Sequence, residues 1–306
     1  MVASVEIVDV APRDGLQSEQ SPVATEVKLE LIARLADAGV RRVEATSFVD
    51  PTRVPQMADA DELMAALPER DDLTTIGLVL NDRGFDRAVA AGVDQITTVV
   101  VVSETFSQRN QGMSTGDAVD VWHAIADRAR DAGIGTSVTL SAAFGCPFEG
   151  EVDPGRLLEV CDAVVEEPPD EIAVADTIGV AVPTDVTARV GAVVERNRGR
   201  AVRCHFHDTR NTALANIVAA LDAGASVIDA SVGGIGGCPF APAATGNVAT
   251  EDVVYALERM GIDTGVDLDA LIAAARWLED ALGHPVPSML SKAGPWPDRS
   301  GQTGSA

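Results

Sequence analysis

His205 and His207 flank a single phenylalanine at the end of a run predicted as a strand, so both imidazoles point to one face and can share a metal ion. A hydrogen-bonded pair of structural histidines is the alternative use of the same pattern. Asp14 closes a similar run near the N-terminus and offers a hard oxygen ligand. A mixed nitrogen and oxygen set suits Mg²⁺ or Mn²⁺, with Zn²⁺ or Co²⁺ also compatible. Arg13, next to Asp14, is either half of a surface ion pair or a cation placed to stabilise an oxyanion as charge develops on a carbonyl.

A second cluster follows strand eight, where Gly233-Gly234-Ile235-Gly236-Gly237 leads into Cys238, and Gly246 precedes Asn247. Such a run is either a plain turn or a mobile lid that carries a thiol able to act as acid or base. Cys161 falls in a helical apolar pattern and Cys204 in a strand, positions typical of core thiols. Cys146 is compatible with either role, and His123 and His284 have no partners in the pattern and read as structural.

The elements that must position these groups repeat. Runs rich in Val, Ile and Thr are predicted as strands over 5–10, 42–46, 74–80, 95–102, 136–141, 171–175, 201–206 and 226–231, each followed by an amphipathic helical pattern. Eight such units predict an α/β fold of the (β/α)8 TIM-barrel type, with an open doubly wound sheet as the competitor. In a barrel the chemistry sits at the C-terminal strand ends. Those ends hold Arg13-Asp14-Gly15-Leu16-Gln17, Glu44-Ala45-Thr46-Ser47, Asp176-Thr177 and His205-Phe206-His207-Asp208. Leu268 to Leu282 reads as an extra C-terminal helix. One catalytic domain is expected over residues 1–290, with a flexible tail over 291–306.

With 306 residues and 46% hydrophobic composition, the chain can bury a barrel-sized core. It has no long uncharged apolar run, and strand one begins too early to leave room for a leader, so a cytoplasmic protein is expected. The four cysteines form no CxxC pair, which argues against a disulfide framework. A net charge of −24 argues against nucleic acid or an anionic membrane as partner. An anionic substrate would therefore need a local positive site made by metal, arginine or helix N-termini.

These residues, in this order, resemble the 3-hydroxy-3-methylglutaryl-CoA lyase family of metal-dependent barrel lyases, over about residues 5 to 282. Arg13-Asp14-Gly15-Leu16-Gln17 and His205-x-His207-Asp208 are shared with related Claisen-condensing synthases. Glu44-Ala45-Thr46-Ser47-Phe48-Val49, Asp176-Thr177-Ile178-Gly179 and the segment from Ser231 to Phe240, with Ala244-Thr245-Gly246-Asn247, look like the lyase itself. The resemblance implies a divalent metal held by Asp14, His205, His207 and Asn247, an acyl-CoA substrate, and retro-Claisen cleavage to acetyl-CoA and acetoacetate, as in leucine degradation. It further implies Arg13 at the thioester carbonyl, Cys238 on a closing loop, and Asp14 as ligand or base. Glu44 and Asp176 would orient Arg13 and the ligands, and Gln17, Ser47 and Thr177 would lie near the substrate.

The chain departs from the family pattern at Arg210-Asn211, where Tyr-Gly is common, at Ser137 and Thr139, where arginine and tyrosine are common, and at Gln20, often a lysine. Arg210 is thus expected to replace a lost contact to the acyl group, or the enzyme to cleave a related 3-hydroxyacyl-CoA. A synthase or aldolase of the same superfamily, and a non-catalytic acyl-CoA-binding barrel, are the other readings. The extra helix is a candidate surface for a homodimer.

Overall fold

The eight β-rich runs form eight parallel strands in a computed structural model that describes residues 2–237 and 246–297. They are β1 (Glu6–Asp9), β2 (Arg42–Ser47), β3 (Thr74–Leu78), β4 (Gln95–Val101), β5 (Gly135–Ser141), β6 (Glu171–Asp176), β7 (Ala201–Phe206) and β8 (Val227–Ala230). Each strand pairs with its neighbours in chain order, and β8 pairs with β1, with Glu6 opposite Val227 and Asp9 opposite Ala230. That last pairing closes the sheet and removes the open alternative. The fold is a (β/α)8 barrel.

Alternation along each strand sends one set of side chains outward against the helices and the other into the barrel. The outward set, with the apolar faces of the helices, makes the main core, in which Leu31, Ile32, Val43, Trp122, Val174 and Ile228 are fully or almost fully buried. A second, small cluster of Val8, Val10, Ile76 and Val227 lies apart from it. The rest of the barrel interior is largely polar. Barrel interiors are commonly filled by layers of branched aliphatic side chains. Here Arg42 donates two hydrogen bonds to Glu171 (2.9 and 3.0 Å) and one each to Glu6 and Gln95 (both 2.9 Å) at the N-terminal ends of the strands.

The helix Leu268–Leu282 forms over the predicted span. Asp267 caps it by accepting from the Ala270 amide, and its apolar stripe, Leu271, Ile272, Ala274, Ala275 and Leu278, is buried in the chain's own core. At the boundary of the segment expected to be loose, Leu290–Ala293 forms one helical turn with Ser291 buried. The remainder from residue 298 lies outside the described residues. Among the described residues no helix is long and apolar enough to cross a membrane.

Candidate active site

The site is built from strand parity and two turns. His205 stands beside Asp229 of β8 and Ala175 of β6 in the ladder. Its Nδ1 lies 3.2 Å from Asp229 Oδ2, which fixes the proton on Nδ1 and leaves Nε2 bare. His207, just beyond the strand, is buried, pairs with Asn247 through an isolated bridge, and has an Nδ1 with no hydrogen-bond partner. The two rings are tilted, 5.1 Å apart between centroids. Asp14, His205 and His207 each offer one ligand atom, all within 4.8 Å of one another.

Asp14 sits on a single wide turn, Ala11–Gly15, in which the amides of Asp14 and Gly15 both reach the Val10 carbonyl (2.8 and 3.2 Å). Such π-type turns recur at functional sites because the extra residue re-aims a side chain. Asn247 spends its amide nitrogen on Asp14 Oδ2 (2.8 Å) and on the Ile235 carbonyl (3.1 Å), so its buried Oδ1 is left without a partner. An orphaned carbonyl oxygen and an orphaned ring nitrogen beside a carboxylate are costly unless something binds them. This donor set fits a divalent cation.

Main-chain contact holds the two halves together. A Cβ on Gly236 would stand 2.5 Å from the Asn247 amide nitrogen and 3.3 Å from the Gly15 Cα, and one on Gly246 would collide with the Gly236 carbonyl. Only glycine fits these positions.

Arg13 forms an ion pair with Asp14 Oδ1 through Nη1 and with Glu44 Oε2 through Nη2, both 2.6 Å, and its buried Nε has no partner. Glu44 reaches it where the β2–β3 register shifts between Glu44 and Thr46, an irregularity that turns the side chain toward the mouth. Burial pushes the Asp14 carboxyl up, but Arg13, both histidines and the Asn247 amide more than offset this and hold it at about 2. Burial and the neighbouring His205 push His207 down to about 4. Burial also acts to lower His205, but the hydrogen bond and charge of Asp229 outweigh it and raise the ring. At neutral pH, Asp14 is an anion and His207 a neutral ring, the states that ligands need.

These groups line a cavity of about 450 Å³. Its lining carries Arg13, Asp14, Glu44, Arg203, His205, His207 and Asp229 together with Arg53 and Arg109, and the smaller side chains Val99, Thr139, Ser141, Ala175 and Thr177. Gln17 and Ser47 also line it, and the buried Ser47 hydroxyl has no partner. Thr177 shares a 2.9 Å hydrogen bond with Ser141 and accepts from the Ala142 amide.

Two expectations change. Asp176 does not orient Arg13: its oxygens accept the amides of Val180 and Ala181 (both 2.9 Å) and shape the following loop. Arg210 does not line the cavity. It is exposed, and its Nη1 donates to the Ile178 and Gly179 carbonyls (3.1 and 2.7 Å), bracing one loop against another. Cys238 lies outside the described residues. Cys146, Cys161 and Cys204 are free and buried, and burial lifts the Cys161 thiol to about 11 and Cys204 higher still, which leaves both unreactive. His123 and His284 stand away from the cavity, against the Ala163 carbonyl and Glu19. Sequence reasoning missed Asp229 and Arg203. The signal was there: both are charged residues inside strands of a parallel sheet, where apolar runs are the rule.

The HMGL-like family model matches residues 4–278. An (R)-citramalyl-CoA lyase from Chloroflexus aurantiacus is 43% identical over 302 residues, covering 95% of each chain. The hydroxymethylglutaryl-CoA lyase of Bacillus subtilis is 40% identical over 284 residues, covering 93% of this chain and 95% of that one. Among solved structures, an HMG-CoA lyase from Acinetobacter baumannii, in complex with coenzyme A and 3-methylmalate, superposes with a TM-score of 0.93 at 37% identity over 97% of each chain.

Proposed function

The chain belongs to the HMGL-like family, and from that premise we propose that it is a divalent-metal-dependent lyase cleaving 3-hydroxy-3-methylglutaryl-CoA to acetyl-CoA and acetoacetate. The observation that carries this reading is the convergence of Asp14, His205 and His207 with the orphaned Asn247 Oδ1 beside an arginine in one cavity. Asp14, His205, His207 and Asn247 would hold the cation, Mg²⁺ or Mn²⁺ by their chemistry. When bound, the cation supplies Lewis acidity that lowers the pKa of a coordinated tertiary hydroxyl.

The chain's own residues do the rest. A base takes the proton of the tertiary hydroxyl, that oxygen becomes the ketone of acetoacetate, and the carbon–carbon bond breaks with its electrons moving onto the thioester carbonyl. Arg13 stands ready to donate to that oxygen as the enolate charge grows, and Glu44 holds the guanidinium at 2.6 Å. Asp14, with its carboxyl near 2, is a weak base and a good ligand. His205, while its Nε2 is not on the cation, or Cys238 would help return a proton to the enolate carbon. The small side chains Thr139, Ser141 and Ala175 in the cavity lining leave room for the acyl group. Free thiols at the three described cysteines fit a reducing, cytoplasmic compartment.

The relative named (R)-citramalyl-CoA lyase makes that thioester the second candidate substrate. Metal-stripped protein incubated with each thioester, with and without Mg²⁺ or Mn²⁺, tests the proposal. Metal-restored acetoacetate from 3-hydroxy-3-methylglutaryl-CoA is expected. Pyruvate from (R)-citramalyl-CoA alone would reassign the acyl group, and no product from either thioester under any metal would overturn the reading.

A further inference from the structure

Beneath the proposed metal site a ladder of alternating charge runs down the barrel. Asp229 Oδ2 meets His205 Nδ1 at 3.2 Å, Asp229 Oδ1 lies 3.5 Å from Arg203 Nη1, Arg203 Nε lies 3.2 Å from Glu171 Oε1, and Glu171 ends on Arg42. Arg203 and Asp229 are almost fully buried. Taking such ions out of water costs several kcal/mol each, and apolar residues of the same volume often do as well or better for stability. A ladder that costs this much has a use at its open end.

The rungs differ. Glu171 keeps a two-pronged pair with Arg42 whether or not Arg203 is present. Asp229 has no other arginine or lysine in ion-pair contact among the described residues, and Arg203 meets it at ion-pair distance without hydrogen-bond geometry. The one side-chain hydrogen bond of Arg203 runs from Nη2 to Ser137 Oγ on β5, at 3.3 Å, which fixes the guanidinium from the far side. On β7, Arg203 and His205 are two residues apart and share a face, so the guanidinium lies one layer below the imidazole.

We propose that Arg203 is a positioning residue for the metal centre: it holds the Asp229 carboxylate from below, so that Asp229 keeps the His205 ring turned with Nε2 toward Asp14 and His207. This rests on the reading of Asp14, His205 and His207 as metal ligands. Removing Arg203 frees Asp229 to rotate, and the ring loses its orientation while Asp14, His207 and Asn247 stay in place.

A double-mutant cycle on Mn²⁺ affinity, read by electron paramagnetic resonance of the free ion and without substrate, tests this. Arg203→Met and Asp229→Asn are each expected to weaken Mn²⁺ binding about tenfold, the low end for groups that orient metal ligands. The double variant should be no weaker than Asp229→Asn alone. Independent losses that multiply, or an Arg203→Met protein with a lowered Tm and unchanged Mn²⁺ affinity, would show Arg203 to be merely structural and overturn the proposal. If Arg203→Met does not fold, the same cycle with Arg203→Lys decides, because lysine keeps the charge and loses the fork. There, a loss of about threefold that vanishes in the Asp229→Asn background is expected, and an unchanged affinity or an additive loss overturns the idea. Failure of the wild-type protein to bind Mn²⁺ would instead strike the metal reading itself.

Discussion

The foot and the mouth of the barrel use the same kinds of residue to opposite ends. At the foot, Arg42 is satisfied by Glu171, Glu6 and Gln95, and Glu171 takes a second cation in Arg203. At the mouth, Arg13 binds Asp14 and Glu44, yet Arg13 Nε, His207 Nδ1, Asn247 Oδ1 and Ser47 Oγ are all buried without partners. Each such orphan costs about 1–3 kcal/mol. At the foot Arg42 and Glu171 are paired with each other and with further partners, whereas the mouth gives up stability for groups that await a ligand. A polar cluster inside a fold is therefore read by what it leaves unpaired.

The sharpest way to break that contrast is to remove a group from each end. Asp14→Ala or His207→Ala should lower kcat by about 10³-fold or more, since the polarisation lost is worth several kcal/mol. For His207→Ala, whose ring nitrogen has no partner to lose, the Tm of the metal-free protein should hold or rise. A large fall in Tm with activity retained would refute the division. At the foot, Arg42→Met leaves Glu6 and Glu171 short of a partner and should cost ~3 kcal/mol of stability in urea unfolding. The kcat/KM of the folded fraction should stay within about threefold, and a loss as large as at the mouth would mean the two ends are one unit.

A third set of carboxylates sharpens the comparison, because it is paired without cations. Asp9 accepts the amides of Ala11 and Val232 and the Thr250 hydroxyl, and Glu251 accepts the Gly233 amide. Burial pushes each up to about 7. Both folded values lie above the unfolded ones, so between about pH 4 and 7 the folded state binds more protons, and stability falls as pH rises through that window. Thermal melts should show that slope in the wild-type protein, and Asp9→Asn should flatten it. An unchanged slope would mean that Asp9 is ionised throughout. The smallest effect is expected at Arg210→Ala. Its guanidinium is spent on two loop carbonyls outside the cavity, so kcat/KM should change by less than about threefold. A larger fall would restore Arg210 to a role at the acyl group.

Much of this was legible in the residues. The strands fall within one or two residues of their predicted spans because Val, Ile and Thr runs alternate with amphipathic helices, and the extra helix ends at Gly283, which takes the left-handed conformation. Asp14, His205 and His207 were found because strand parity and strand ends are local properties. What lies across the barrel from a residue is not local. It depends on the stagger of eight strands, so the Arg203 contacts to Glu171, Asp229 and Ser137 could not be read from spacing. Asp176 looked like a partner of Arg13 because it sits at a strand end. Its two oxygens instead serve amides four and five residues onward, a use that only the turn geometry shows.

Gly15 and Gly236 lie back to back with no room for a methyl group on Gly236, so close main-chain packing limits how far the Asp14 and Asn247 side chains can part. A span limited in that way is a ruler for ionic radius. Mg²⁺ holds its oxygens at roughly 2.0–2.1 Å and Ca²⁺ at roughly 2.3–2.6 Å, a difference that flexible ligands absorb and a rigid span does not. A methyl group on Gly236 would press on the Asn247 amide nitrogen, so Gly236→Ala is expected to displace that ligand and weaken Mg²⁺ binding in a titration of the metal-free protein.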